Sequence, residues 1–290
     1  MCRGVDVDLF DRFLQERTYL KGVSPLTLRY YRNVGRSFST ILAEPTKDGM
    51  MQCIQKLLAN GVSSTGVNTY LRGLKAYARW LHAEGFLLEP LKVQFLKTER
   101  KILATFSQEH VRRFVNYKPR GQNLTRAQMA VLVMLDCGLR VSECLGLTPA
   151  DIDFDNLVIR VKGKGNKQRL VPMSIELRKR LYRYSVKHPG PFVLGTQRNT
   201  RVTLRNFQRD MKLICERLGI AGVRCSPHTL RHTFAVSYLR AGGNLFYLSR
   251  ILGHSSVTTT EKYLQSLGVE DLQAVHDRLS LLNPGRCRSL

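Results

Sequence analysis

Acidic residues are scarce in this chain: 22 Asp and Glu stand against 46 Lys and Arg, a formal net charge of +24 over 290 residues. A compact fold must tolerate that charge as self-repulsion, and solubility alone does not call for it, so a polyanionic partner is the economical explanation. The excess is uneven: 14 basic and 8 acidic residues precede residue 99, while 32 and 14 follow. Paired cysteines are also missing. The seven cysteines are odd in number and form no C-x-x-C, which argues against a disulfide framework or a Cys-rich zinc site and for a reduced, intracellular protein. No apolar run approaches the ~18 residues of a membrane span. The opening MCRGVDVDLFDRF places acids where a secretion signal needs a continuous apolar stretch. Basic residues are interleaved with periodic segments and not gathered in one amphipathic anchor, which weighs against anionic lipid. There is no repeat of 20–50 residues and no low-complexity tract. With 43% apolar residues the chain can fill ordinary cores, and its length suits about two domains.

The first ~98 residues read as four helices. One covers roughly Val7 to Leu20. The next is announced by Ser24 as a cap with Pro25 behind it, and carries Leu28, Tyr31, Val34, Phe38 and Leu42 at spacings of three and four. A third spans about Lys47 to Ala59 and stops at Asn60-Gly61. The fourth runs from Ser63 or Ser64 to about His82, with Val67, Tyr70, Leu71, Leu74, Ala78 and Leu81 on its apolar side. Gly85 to Leu103 contains Pro90 and has no 3.6 period, so it reads as an extended linker. Helical patterns resume at Ser107–Tyr117 and Thr125–Cys137, with a further start near Arg140. Ile152 to Pro172 holds short apolar runs punctuated by Gly163 and Gly165, the pattern of a small antiparallel sheet or hairpin. Helices are then expected near 174–185, 203–218, 227–241, 244–252, 258–266 and 269–282. The fold class that follows is mostly α with a small antiparallel β-sheet in the C-terminal domain.

Four strings concentrate phosphate-capable or proton-transferring side chains beside glycines or caps: GLRVSE (138–143), KGKGNKQRLVP (162–172), SPHTLRHTFA (226–235) and LGHSSVTTTEKY (252–263). Each has a plain structural reading. Arg140 fits a phosphate at a helix start or an ion pair with Glu143 one turn away. Lys164, between two glycines at a hairpin tip, fits a flexible arm or a solvated turn. His228 and Arg231 share a helix face behind the Ser226-Pro227 cap, which suits a proton-transfer group beside an oxyanion clamp or a structural arginine. His254 after Leu252-Gly253 also fits a helix C-cap, and Tyr263 a core tyrosine. Zinc on His228, His232 and His254 is disfavoured, because no H-E-x-x-H is present and a basic surround repels a dication.

Taken in order, Arg140, Lys164, His228-x-x-Arg231, His254 and, nine residues on, Tyr263 resemble the active-site series of the tyrosine recombinase (phage integrase) family. The resemblance covers nearly the whole chain. It implies an N-terminal helical bundle of the SAM-like core-binding kind over residues 1–88, a linker at 89–103 and a catalytic domain at 104–282. That domain would end in an exchange helix at 268–282 whose stripe is Val269, Leu272, Val275, Leu279 and Leu282, followed by a basic tail at 283–290.

The chemistry implied is metal- and ATP-independent cutting and rejoining of DNA, with no cofactor. Tyr263 would attack the phosphorus and hold a 3′-phosphotyrosyl bond, while Arg140 and Arg231 fork onto the phosphate oxygens. By the same resemblance Lys164 protonates the leaving 5′-oxygen, His228 assists, His254 hydrogen-bonds the phosphate and Glu143 orients the cations. Lys162 and Lys167 compete with Lys164, and only its place between the glycines separates them. Candidate DNA contacts are Arg29, Arg32, Arg72, Lys75, Arg79, Lys162, Lys167, Arg169 and Arg205. The partner implied is double-stranded DNA with an inverted-repeat core site, bound by a homotetramer that swaps C-terminal helices and works through a Holliday junction; no membrane and no small-molecule substrate enter. With Arg140 so early, an added arm-binding domain has no room, and the 171–227 interval looks too short for the extra helix of integron integrases. A two-domain, Xer-like or mobile-element recombinase of the cytoplasm is expected. LQSLGVED after Tyr263 lacks the Thr-His frequent in Xer proteins, which counts against chromosome dimer resolution. A type IB topoisomerase-like nicking-closing enzyme and a catalytically silent DNA-binding homologue are the other readings.

Overall fold

In the computed structural model the chain divides into two compact units, residues 1–101 and 102–290. The structure describes residues 7–38, 46–98, 104–163, 168–254, 256–271, 273 and 276.

The first unit is built from α1 (Val7–Tyr19), α2 (Pro25–Ser37), α3 (Lys47–Ala59) and α4 (Ser64–Ala83). Three of the four starts are capped by a hydroxyl that accepts from the backbone N–H three residues on: Ser24 from Thr27, Thr46 from Gly49, Ser63 from Gly66. The apolar stripes then meet in two clusters. Phe10, Phe13, Tyr77 and Trp80 form one, with ring centroids about 5–6 Å apart, and Val34, Met50, Ile54, Leu71 and Leu74 anchor the other. Leu42, expected on α2, lies outside the described residues.

Residues 87–98 have no regular structure, as their lack of a period suggests, yet they are fastened to α4. Buried Asn68 donates to the Leu96 carbonyl (2.9 Å) and accepts from the Leu96 N–H (2.8 Å), and Val93 is buried beside it.

The second unit surrounds one helix. α6 (Gln122–Cys137) is buried along most of its length, with Val131, Val133, Met134 and Cys137 fully enclosed. Against it pack α8 (Ile175–Lys187), α9 (Leu204–Arg217) and α10 (Pro227–Arg240), with α5 (Gln108–Asn116) alongside. The sheet is antiparallel, order β1 (Ile152–Asp153), β2 (Val158–Lys162), β3 (Gln168–Pro172). Its register pairs Ile159 with Val171 and Lys162 with Gln168. Ile159 and Val161 point to the core while Arg160 and Lys162 face water, the two-residue alternation of a half-buried strand.

Two expectations are revised. The helix expected from Arg140 is the single turn α7 (Val141–Cys144). The helix expected over 258–266 is broken into α12 (Thr258–Glu261) and a 3₁₀ turn at Leu264–Ser266, with Tyr263 at the break. Three successive β-branched threonines weaken helix formation there, and the Tyr263 and Ser266 N–H groups bond three residues back, to Thr260 and Tyr263. Between them α11 (Leu245–Leu252) is capped at Asn244 and stops at Gly253. Of the last-helix stripe only Val269 is described, and it is exposed; Leu272, Val275, Leu279 and Leu282 lie outside.

Candidate active site

The site forms where α6 and α11 end. Gly138 terminates α6 at φ +62°, a left-handed value, and a Cβ there would collide with the Phe234 ring. That turn delivers Arg140 at the head of α7. Gly253 terminates α11 in the same way at φ +65°, where a side chain would meet Arg169.

Each of three consecutive carbonyls at the α11 terminus accepts from a different arginine: Ile251 from Arg169 Nε (2.7 Å), Leu252 from Arg231 Nη2 (2.8 Å) and Gly253 from Arg140 Nη2 (3.2 Å). A helix C-terminus leaves such carbonyls unpaired and carries partial negative charge, so it suits a cluster of guanidinium groups. Arg231, only 5% exposed, also donates to the Gly138 carbonyl (2.7 Å), so it joins two helix ends. Burial, and next the repulsion of Arg140, lower its pKa from the ordinary arginine value; the Tyr263 phenol, to which it hydrogen-bonds, and Glu143 act in the opposite direction.

Glu143 is the counter-charge. Its side chain is 6% exposed; it takes two parallel bonds from Arg169 (2.9 and 2.8 Å), one from Arg140 Nη1 (2.9 Å) and one from the Arg140 N–H (2.8 Å). Burial alone would push this carboxyl up, but the bonds from Arg169 and Arg140 overcome it and hold it below the usual glutamate range.

His254 Nε2 lies 3.0 Å from Arg231 Nη2, and Nδ1 lies 2.8 Å from the hydroxyl of the fully buried Thr260. A guanidinium only donates, so Nε2 accepts and the ring proton sits on Nδ1. Burial first, then Arg231, Lys262, Arg140 and Arg169, depress the imidazole pKa to about 4. Tyr263 is 4% exposed. Its ring stacks on His254 (centroids 6.2 Å, planes 14° apart) and lies against His232 (5.2 Å), and the Lys262 ammonium sits 5.0 Å from its centroid.

Arg140, Glu143, Arg231, His254 and Tyr263, singled out in the sequence, are thus brought together. The ion-pair reading of Arg140 and the C-cap reading of the Leu-Gly-His string also hold, because the same contacts aim the guanidinium groups. His228 is exposed on the first turn of α10, three residues before Arg231. Lys164 and Lys167 lie outside the described residues. Arg29, Arg32, Arg72, Arg79, Lys162 and Arg205 are exposed, as DNA contacts require.

Two expected DNA contacts are already engaged within the protein. Arg169 spends its fork on Glu143 and its Nε on Ile251, with a side chain 13% exposed, so it braces the site. Lys75 donates to the Val93 carbonyl (2.6 Å) over the Phe95 ring (4.4 Å). Lys262 and Thr260 escaped the sequence reading, and His232 entered it only as a disfavoured zinc ligand. Adjacency to Tyr263 was the one signal for Lys262.

Residues 104–268 match the Phage integrase family. The chain belongs to this family. It is a tyrosine recombinase, a DNA strand-exchange enzyme. The chain is similar to the tyrosine recombinase XerC of Syntrophus aciditrophicus, at 32% identity over 223 residues (72% of this chain and 71% of that protein). It is similar to the tyrosine recombinase XerA of Thermococcus kodakarensis at 30% over 280 residues, 95% of each. Among solved structures, a Tn1549 transposon integrase in complex with transposon right end DNA shares the fold, with TM-score 0.75 and 22% identity over 94% of this chain and 98% of that one.

Proposed function

We propose that this recombinase cuts each strand of a duplex core site by attack of Tyr263, holds the 3′-phosphate as a phosphotyrosyl ester, and rejoins it to a partner strand through a four-way junction. The outcome is integration, excision or resolution of a mobile element. The observation that carries this reading is the cluster in which Arg231 and His254 lie against the Tyr263 phenol while Arg140 joins Arg231 at the α11 terminus. Cutting a phosphodiester this way needs a nucleophile, neutralisation of the nonbridging oxygens and a proton for the departing oxygen. Two guanidinium groups can supply the second, and an oxyanion donor is typically worth ~3–4 kcal/mol. His254 hydrogen-bonds the phosphate once Arg231 turns to the substrate and the imidazole proton moves from Nδ1 to Nε2, Lys164 protonates the 5′-oxygen, His228 assists, and Glu143 with Arg169 aims the cations. The ester conserves the bond energy, so rejoining needs neither ATP nor a metal ion.

Because Tyr263 is nearly buried, its hydroxyl meets the phosphorus only after the 256–268 segment shifts on binding. Exposed Arg29, Arg32, Arg72, Arg79, Lys162 and Arg205 track the DNA backbone, residues 1–88 and 104–282 act as core-binding and catalytic domains, and four protomers exchange the 268–282 helix on an inverted-repeat site. The test is a nicked duplex whose cleaved end diffuses away. The native chain should accumulate a covalent adduct that maps to Tyr263, also in the presence of chelator, and Tyr263→Phe should accumulate none. An adduct in that variant would overturn the assignment.

A further inference from the structure

We propose that Lys262 is a positioning cation for the nucleophile: its ammonium, seated over the Tyr263 ring, stabilises the phenolate during attack while keeping its own proton. This rests on Tyr263 being the nucleophile. The ammonium lies 5.0 Å from the ring centroid, within the range of a cation–π contact. A phenol that loses its proton spreads negative charge into the ring, so a cation over that face favours the ionised form more than the neutral one.

The surroundings make the placement costly without an anion. Among the described residues Lys262 makes no ion pair with a carboxylate, and the one carboxylate at the centre, Glu143, is occupied by Arg140 and Arg169. The charged groups whose fields reach it are Arg231 from α10 and Arg140 from the head of α7, and its own field reaches His254 at the end of α11. Partial burial and the two arginines pull its pKa below the ordinary lysine value. Such like-charge crowding is relieved only when negative charge arrives, on the phosphate and on the phenolate oxygen. In the step itself the Oη–H bond breaks and that proton passes to solvent, Oη–P forms, P–O5′ breaks, and the departing oxygen takes a proton from its own acid. Lys262 neither gives nor takes one.

The test follows adduct formation on a nicked duplex with a normal 5′-oxygen and on one with sulfur in its place. A thiolate leaves without a proton, but attack still requires an ionised phenol. Lys262→Met and Lys262→Gln, which break no ion pair among the described residues and relieve like-charge crowding and so should melt no lower than the native chain, should slow adduct formation by about 10- to 100-fold on both substrates. Duplex affinity should hold to within about 3-fold, below the tenfold that 1.4 kcal/mol represents, and Lys262→Arg should recover most of the rate. Full activity in Lys262→Met and Lys262→Gln, restoration of their rate by sulfur, or a loss confined to affinity would each overturn the inference; restoration by sulfur would make Lys262 the leaving-group acid. An adduct in Tyr263→Phe would instead remove the nucleophile, and this inference with it.

Discussion

His254 accepts a hydrogen bond from Arg231 across 3.0 Å, and that contact fixes both the tautomer of the imidazole and its charge. A ring that must accept from a buried guanidinium cannot also be protonated at the same nitrogen.

Stability should therefore depend on pH in a defined window. The folded His254 has a pKa of about 4 against 6.5 for the free side chain, so the unfolded chain binds the proton more readily. The contribution is complete above about 6.5 and is lost as pH falls through about 4. Urea midpoints measured from pH 7 to 4 should decline, and the decline should be shallower in His254→Gln. Identical slopes would separate the ring from this coupling.

Glu143 holds two arginines in a nearly dry setting. Glu143→Ala leaves Arg169 without its carboxylate, and breaking one side of a buried pair costs about 3–5 kcal/mol. Chemical unfolding should show a loss of that size, and adduct formation should fall with it because Arg140 is no longer aimed. As pH falls below the ordinary glutamate range the native protein should lose the part of this stability that depends on the ionised carboxyl, since the folded group titrates lower than the unfolded one.

Asn68 fastens the segment that leaves α4. Its two bonds to Leu96 are worth about 1–3 kcal/mol together, so Asn68→Ala should lower the melting temperature and speed amide exchange at Leu96. Unchanged exchange would show that buried Val93 and the Lys75 bond to its carbonyl anchor the segment without Asn68.

A chain of charge +24 that tracks a DNA backbone must release counterions on binding. With 6–10 phosphate contacts, affinity should fall by roughly 10³–10⁵ between 50 and 200 mM salt. Arg72→Ala should flatten the log–log slope by about 0.9 if that side chain meets a phosphate. A flat salt profile in the native chain would contradict backbone tracking.

Local chemistry was legible wherever neighbours in sequence act on each other. Ser24-Pro25 starts α2, Asn60-Gly61 stops α3, and the short apolar run from Val158 to Val161 makes β2. The arginine, histidine and tyrosine strings could be read because each carries its own cap or turn. The internal partners of Arg169, Glu143 and Ile251, could not be read in the same way, because they lie 26 and 82 residues away. Tyr263 was placed within a continuous helix because the helical period cannot register where successive bonds shorten to three residues.

Sequence alone determined the helical class, the small hairpin, the basic surplus and the order of the reactive side chains, since these follow from composition and short-range spacing. Only the tertiary structure decided that one helix terminus gathers three arginines, that Glu143 is shared between two of them, and that the Lys262 ammonium sits over the Tyr263 ring. Those relations depend on which chain ends meet in space, and electrostatic coupling falls off with distance through space, not along the chain.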